Sequence, residues 1–162
     1  MVFQSASVAF NPRLSVRAIL NEPLALLGSH STAGQPTELL DMVGLPHSLL
    51  SKRPAELSGG QRQRVGIARA LAVRPKLLIC DEAVSALDVS VQAQVLNLLS
   101  DLQNSEGLAM LFITHDLSVV SYLADRIAVM NRGRIVEIGD SLDVLDQPRD
   151  SYTRELLASS TR

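Results

Sequence analysis

The sequence has one cysteine, no tryptophan, and aromatic residues at only 3% of its 162 positions. A single cysteine, Cys80, excludes an internal disulfide framework and suits a reducing compartment. So few aromatic rings leave little from which to build base-stacking platforms. Net charge is −2, so no basic field draws nucleic acid to the surface. Long apolar runs are absent too. LLIC, MLFI and RIAVM are strand-sized, far short of the roughly 18 residues that read as a bilayer span. The start, MVFQSASVAFNPR, has neither the charged beginning nor the apolar centre of a secretory signal. What is present, 46% hydrophobic and 20% charged residues, is the composition of one ordinary globular domain.

The chain is punctuated clearly enough to divide. Residues 1–4, MVFQ, read as the end of a strand, and 5–13 as a loop ending in Asn-Pro. Helical patterns follow at about 15–27 and 36–43, each bounded by Gly or Pro. The stretch 44–57 is broken by two prolines, and a helix then runs from about Ser58 to Val73, where Arg74-Pro75 ends it. The second half alternates. LLIC (77–80) and AMLFIT (109–114) are continuous apolar runs that predict strands buried on both faces. Between them, Val91, Val95, Leu98, Leu99 and Leu102 recur on one side of a helix at about 89–103. A helix is expected at about 117–124. RIAVM and RIVEI, joined through Asn131-Arg132-Gly133-Arg134, read as a hairpin, and 141–146 and 151–159 as terminal helices.

Strand, helix, strand predicts two parallel strands. In such sheets ligands collect outside the carboxyl ends of the strands. The first strand ends in Asp81-Glu82 and the second in Thr114-His115-Asp116. Two carboxylates and an imidazole therefore arrive at one sheet edge. Asp116 reads as an N-cap of the next helix, and Asp88 could equally be a cap. His30 and His47 read as surface residues, and Cys80 as core packing.

A second feature precedes the first strand. Ser58-Gly59-Gly60-Gln61 has the spacing of a capping box. The box explains Ser58 and Gln61 but gains nothing from the glycines, each of which costs a helix about 1 kcal/mol relative to alanine. Bare amides at a helix N-terminus favour an anion, so the glycines point to a phosphate close to the backbone. Gly60 lies past the cap, which predicts that an aspartate there costs little structurally while opposing that phosphate.

LSGGQRQRVGIARAL, taken whole, resembles the signature motif of the ATP-binding cassette (ABC) family. LLICDE resembles its Walker B strand, SALD (85–88) its D-loop, His115 its switch histidine and Gln4 its Q-loop glutamine, in matching order across nearly the whole chain. FNPRLSVRAILNEPL, DEAVSALDVSVQAQVLNLL and VEIGDSLDVLDQPRDSYTREL are similar to ATP-binding subunits of peptide, nickel and glutathione importers. The sequence departs from that subfamily at Ser5-Ala6, where Asp-Pro is usual, and at Asp150-Ser151, where His-Pro is usual before Tyr-Thr. The larger departure is the P-loop, G-x-x-x-x-G-K-[ST], whose amides and lysine cradle phosphates. The only lysines, Lys52 and Lys76, follow Ser51 and Pro75 and fit no such loop. The adenine-stacking aromatic that precedes it in the family has no counterpart either.

The resemblance implies an α/β fold, the C-terminal part of a P-loop NTPase-like nucleotide-binding domain. Its helical signature subdomain would occupy about 8–73, its parallel-sheet part about 75–140, and its C-terminal helices 141–162. The missing N-terminal part would leave apolar surface exposed. Implied cofactors are ATP and Mg²⁺. Asp81 would hold the metal, with Gln4 touching metal or water. Glu82 would be general base or polariser of the attacking water, and His115 would contact the γ-phosphate. Ser58, Gly59, Gly60, Gln61 and Asp88 would grip nucleotide across a dimer. Implied partners are a second ABC ATPase subunit, membrane-spanning permease subunits and, indirectly, a solute-binding protein, with no nucleic acid. The implied location is cytoplasmic, on the inner face of the cell membrane. Two other readings accompany this one: a catalytically dead half-cassette or regulatory remnant, and a non-transport relative acting on DNA.

Overall fold

A computed structural model of the chain describes residues 1–3, 10–26 and 36–160. Gln4 and His30 lie outside the described residues. The chain forms two compact units, Met1–Ile113 and Thr114–Arg162.

In the first unit, α1 (Val16–Leu26), α2 (Pro36–Met42) and α3 (Gly59–Leu71) pack on one another. Each contributes an apolar stripe at helical spacing: Val16, Ile19 and Leu20 from α1, Leu39 and Leu40 from α2, and Val65, Ile67, Ala68 and Leu71 from α3, all buried. Burial of each large side chain contributes about 1.5–3 kcal/mol. The proline-broken stretch before α3 is not plain loop. It makes two short 3₁₀ turns, His47–Ser51 and Pro54–Glu56, a form that tolerates proline at its start.

After α3 come β1 (Leu77–Asp81), α4 (Val89–Glu106) and β2 (Ala109–Ile113). The strands pair in parallel, from Leu77 with Ala109 to Asp81 with Ile113. On the other side of β1, the Val2 amide donates to the Ile79 carbonyl at 2.7 Å and the Asp81 amide donates to the Val2 carbonyl at 2.9 Å. β1 is therefore central, and the segment Met1–Phe3 runs beside it. On α4, Val95, Leu99 and Leu102 are buried as the periodicity predicts, and Leu96 joins them.

The expectation that both strands are buried on both faces needs correcting. Leu78 and Cys80 of β1 are buried, but Leu77 is 52% exposed, and on β2 Leu111 and Ile113 are 50% and 47% exposed. Alternate residues point to opposite faces of a sheet, so one face of β1 is covered while Leu77, Leu111 and Ile113 share the open one. The expected apolar surface is thus present.

In the second unit, α5 (Leu117–Leu123) leads to β3 (Arg126–Asn131) and β4 (Arg134–Asp140), followed by α6 (Ser141–Asp146) and α7 (Ser151–Ser160). β3 and β4 are an antiparallel hairpin. Arg132 and Gly133 have φ of 49° and 78°, the left-handed pair a two-residue hairpin turn requires. Ile127, Val129 and Val144 form its core, with Val136, Tyr152 and Leu156 against them.

Candidate active-site elements

β1 delivers Asp81 and Glu82 to its carboxyl end, both half-buried. Their surroundings differ from an ordinary strand end. Glu82 has φ of 47°, a left-handed backbone that costs a side-chain-bearing residue about 1–2 kcal/mol. Three bonds hold it there. Its amide donates to the Ile113 carbonyl of β2 at 2.8 Å, and its carbonyl accepts from the Ser85 amide at 3.2 Å and the Ser85 hydroxyl at 3.0 Å. Ala83 and Val84 are buried and anchor the turn. The chain thus reverses immediately after the strand and presents Glu82 from a fixed backbone. Arg74 and Arg132 share the positive φ, but they sit in ordinary connecting turns. Strain at a strand's carboxyl end is the kind associated with function.

Six residues on, Asp88 caps α4. Its carboxylate accepts from the Val91 amide at 3.1 Å and the Ser90 hydroxyl at 2.9 Å. Those bonds, the amide first, hold its carboxyl below the usual aspartate range. Asp116 caps α5 in the same way through the Ser118 amide at 2.9 Å. His115 is exposed and belongs to the unit that begins at Thr114. Cys80 is fully buried, and burial pushes its thiol up to about 12, so it is inert core, as expected. His47 is exposed, 2.8 Å from Asp41.

The capping box at α3 is formed in both directions. The Gln61 amide donates to the Ser58 hydroxyl at 3.2 Å, and the Ser58 amide donates to the Gln61 side chain at 2.9 Å. Gly59 stands beside Leu87, and Gly60 beside Val91, so the α3 turn adjoins the turn that carries Asp88. Here one expectation fails. A Cβ on Gly60 would overlap Val91 Cγ1, whereas one on Gly59 would meet Leu87 Cδ2 at an ordinary 3.8 Å. Gly60 therefore has a packing reason of its own, and replacing it carries a steric cost before any phosphate is considered.

The pattern also passed over the polar residues that seat this turn. Arg62 donates to the Leu57 carbonyl at 2.6 Å. Gln63, buried on the apolar side of α3, donates to the Phe3 carbonyl at 3.3 Å. Arg64 donates to the Val43 carbonyl at 3.2 Å and to the Gln94 side chain at 3.0 Å. A glutamine in the buried stripe of a helix was the available signal, since a buried amide needs a partner.

A family model for ABC transporters matches residues 1–85. The chain belongs to the ABC transporter family. Curated relatives of this ABC chain include an oligopeptide transport ATP-binding protein, OppD, of Mycobacterium tuberculosis, 53% identical over 98% of the chain and 26% of the relative. Another is OppF of Lactococcus lactis (strain IL1403), 49% identical over 98% of the chain and 51% of the relative. The ABC chain thus spans about half the length of one and about a quarter of the other. Among solved structures it is similar to the dimeric post-hydrolysis state of the cassette MJ0796 bound to ADP and Pi. The TM-score is 0.72 and identity 30%, over 86% of this chain and 61% of that one. It is also similar to cbiO1 of Clostridium perfringens, part of the transporter complex cbiONQ, with TM-score 0.76 and identity 27%, over 90% and 58%. The α/β architecture with a parallel sheet is therefore that of ABC nucleotide-binding domains. Among the described residues, no helix is long and apolar enough to cross a membrane.

Proposed function

We propose that these residues form the signature, Walker B and switch part of an ATP-hydrolysing subunit of an ABC importer for peptides or related small solutes. The observation that supports it most is the carboxylate pair at the end of central β1, with Glu82 presented from a strained, triply held backbone. Glu82 is the residue to polarise the attacking water. His115 would meet the γ-phosphate, and Gln4 would touch metal or water. Ser58–Gln61 and Asp88 would face nucleotide held by a second ATPase subunit. Membrane permease subunits, and through them a solute-binding protein, complete the assembly on the inner face of the membrane. The identity to OppD and OppF supports peptide-like cargo.

Mg²⁺ fits the donor set. Asp81 supplies hard oxygen at a strand end, and no group of three or more His, Cys, Asp or Glu able to hold a metal occurs among the described residues. Magnesium needs none, because it keeps several waters and takes phosphate oxygens alongside one or two carboxylates. Bound there, it would neutralise charge on the transferring phosphoryl group. This chain's own contribution is orientation. Asp81 is held by the β1 ladder, and Glu82 by its turn.

No stretch of the 162 residues matches the P-loop, so the chain alone is expected to show no ATP turnover. The test is a chimera in which residues 1–162 replace the matching segment of L. lactis OppF. It is expected to hydrolyse ATP, and Glu82→Gln to lower the rate by about 10²–10⁴-fold. A chimera no faster than its Glu82→Gln variant would instead establish the catalytically silent half-cassette.

A further inference from the structure

The place where Gly60 meets Val91 joins two functional turns, and both lie at first turns of capped helices. Gly60 is the second residue of α3, after the Ser58 cap, and Val91 the third of α4, after the Asp88 cap. One turn further along, Arg64 of α3 donates to Gln94 of α4 at 3.0 Å. The two helices are therefore registered at two successive levels, an apolar one at the top and a polar one beneath.

We propose that Val91 is a positioning residue whose side chain fills the notch left by Gly60. It locks the Ser58–Gln61 turn to the Asp88 turn, so that the two move as one rigid unit. Val91 suits this because a β-branched side chain in a helix has one strongly preferred χ1 rotamer. It cannot swing aside for an added methyl, and it reports the position of the helix that carries it. Under the proposed function, a nucleotide gripped by the α3 amides would also find Asp88 already placed. That consequence rests on the functional reading. The lock itself does not, and is measured without nucleotide.

The experiment uses the 162-residue chain and residue-resolved amide hydrogen exchange. Away from any clash, Gly→Ala inside a helix stabilises it by the propensity difference. Gly59→Ala is therefore expected to slow exchange slightly. Gly60→Ala is expected to do the reverse, speeding exchange of the Gln61 and Val91 amides about tenfold through overpacking. Adding Val91→Ala to Gly60→Ala removes the overlapping methyls and is expected to restore protection at both amides. Val91→Ala alone, which leaves the fold standing if Gly60→Ala does not, is expected to loosen both turns together while α1 is unchanged. The proposal is overturned if Gly60→Ala behaves like Gly59→Ala, or if the double variant is no better protected than Gly60→Ala. It is equally overturned if Val91→Ala speeds exchange across α1 as much as at the two caps, because Val91 would then be ordinary core packing.

Discussion

The three-helix core around α3 and the β1–β2 sheet both draw their apolar surface mainly from aliphatic side chains, yet they end in different states. Around α3, Val16, Ile19, Leu40, Val65 and Ile67 are buried against one another. On the sheet, Leu77, Leu111 and Ile113 share a face that remains half open, with Met1 and Phe3 also exposed on the neighbouring segment. The difference lies in what each element needs. Amphipathic helices close on each other with one stripe apiece. A parallel sheet has two apolar faces and needs a layer on each.

The largest effect should come from that open face. At micromolar concentration the chain is expected to associate beyond the monomer mass in light scattering, because apolar surface and strand edges are exposed together. Replacing Leu111 and Ile113 with threonine, which keeps strand preference, should move it towards monomer. A parent chain that is already monodisperse would remove the contrast between core and sheet.

A smaller effect tests the self-contained side. Ser58→Ala removes a formed capping box and should cost about 1 kcal/mol in urea unfolding, with protection lost first in the initial turn of α3. A neutral result would mean that the packing of Arg62, Gln63 and Arg64 holds the turn without its cap.

The smallest effect lies in the second unit. There Glu137 of β4 accepts from the Arg149 and Asp150 amides at 2.8 and 3.1 Å, just before α7. The Arg149 bond above all holds its carboxyl below the usual glutamate range. A carboxyl depressed in the folded state contributes stability above its unfolded range and loses it as pH falls through the folded value. Exchange protection at the start of α7 should therefore weaken on acidification below the ordinary glutamate range. Glu137→Gln should abolish that dependence. If the pH response survives in Glu137→Gln, another group ties α7 to the hairpin.

Local features were legible in the residue order because their causes are local. The capping box at Ser58, the caps at Asp88 and Asp116, the stop at Arg74-Pro75, and the hairpin turn at Arg132-Gly133 depend on neighbours within a few positions. So does the α4 stripe, which needs only the helical period. The apolar runs LLIC and MLFI specified strands, and their order specified a parallel pair, which placed Asp81 and Glu82 at its carboxyl edge. Burial of those strands was overestimated, because an apolar run states what a strand would bury and not what is there to cover it.

Three things were decided only in three dimensions. The left-handed backbone of Glu82 comes from its bonds to Ile113 and Ser85, and no glycine marks it. The anchoring of α3 by Gln63 and Arg64 depends on carbonyls of Phe3 and Val43 that are distant in sequence. The unlike roles of two adjacent glycines depend on which side chain of the Leu87–Val91 turn each one meets. The order of residues determines which groups want partners and at what period. Which partner arrives, and how closely, is set by the packing of elements that the chain separates by tens of residues.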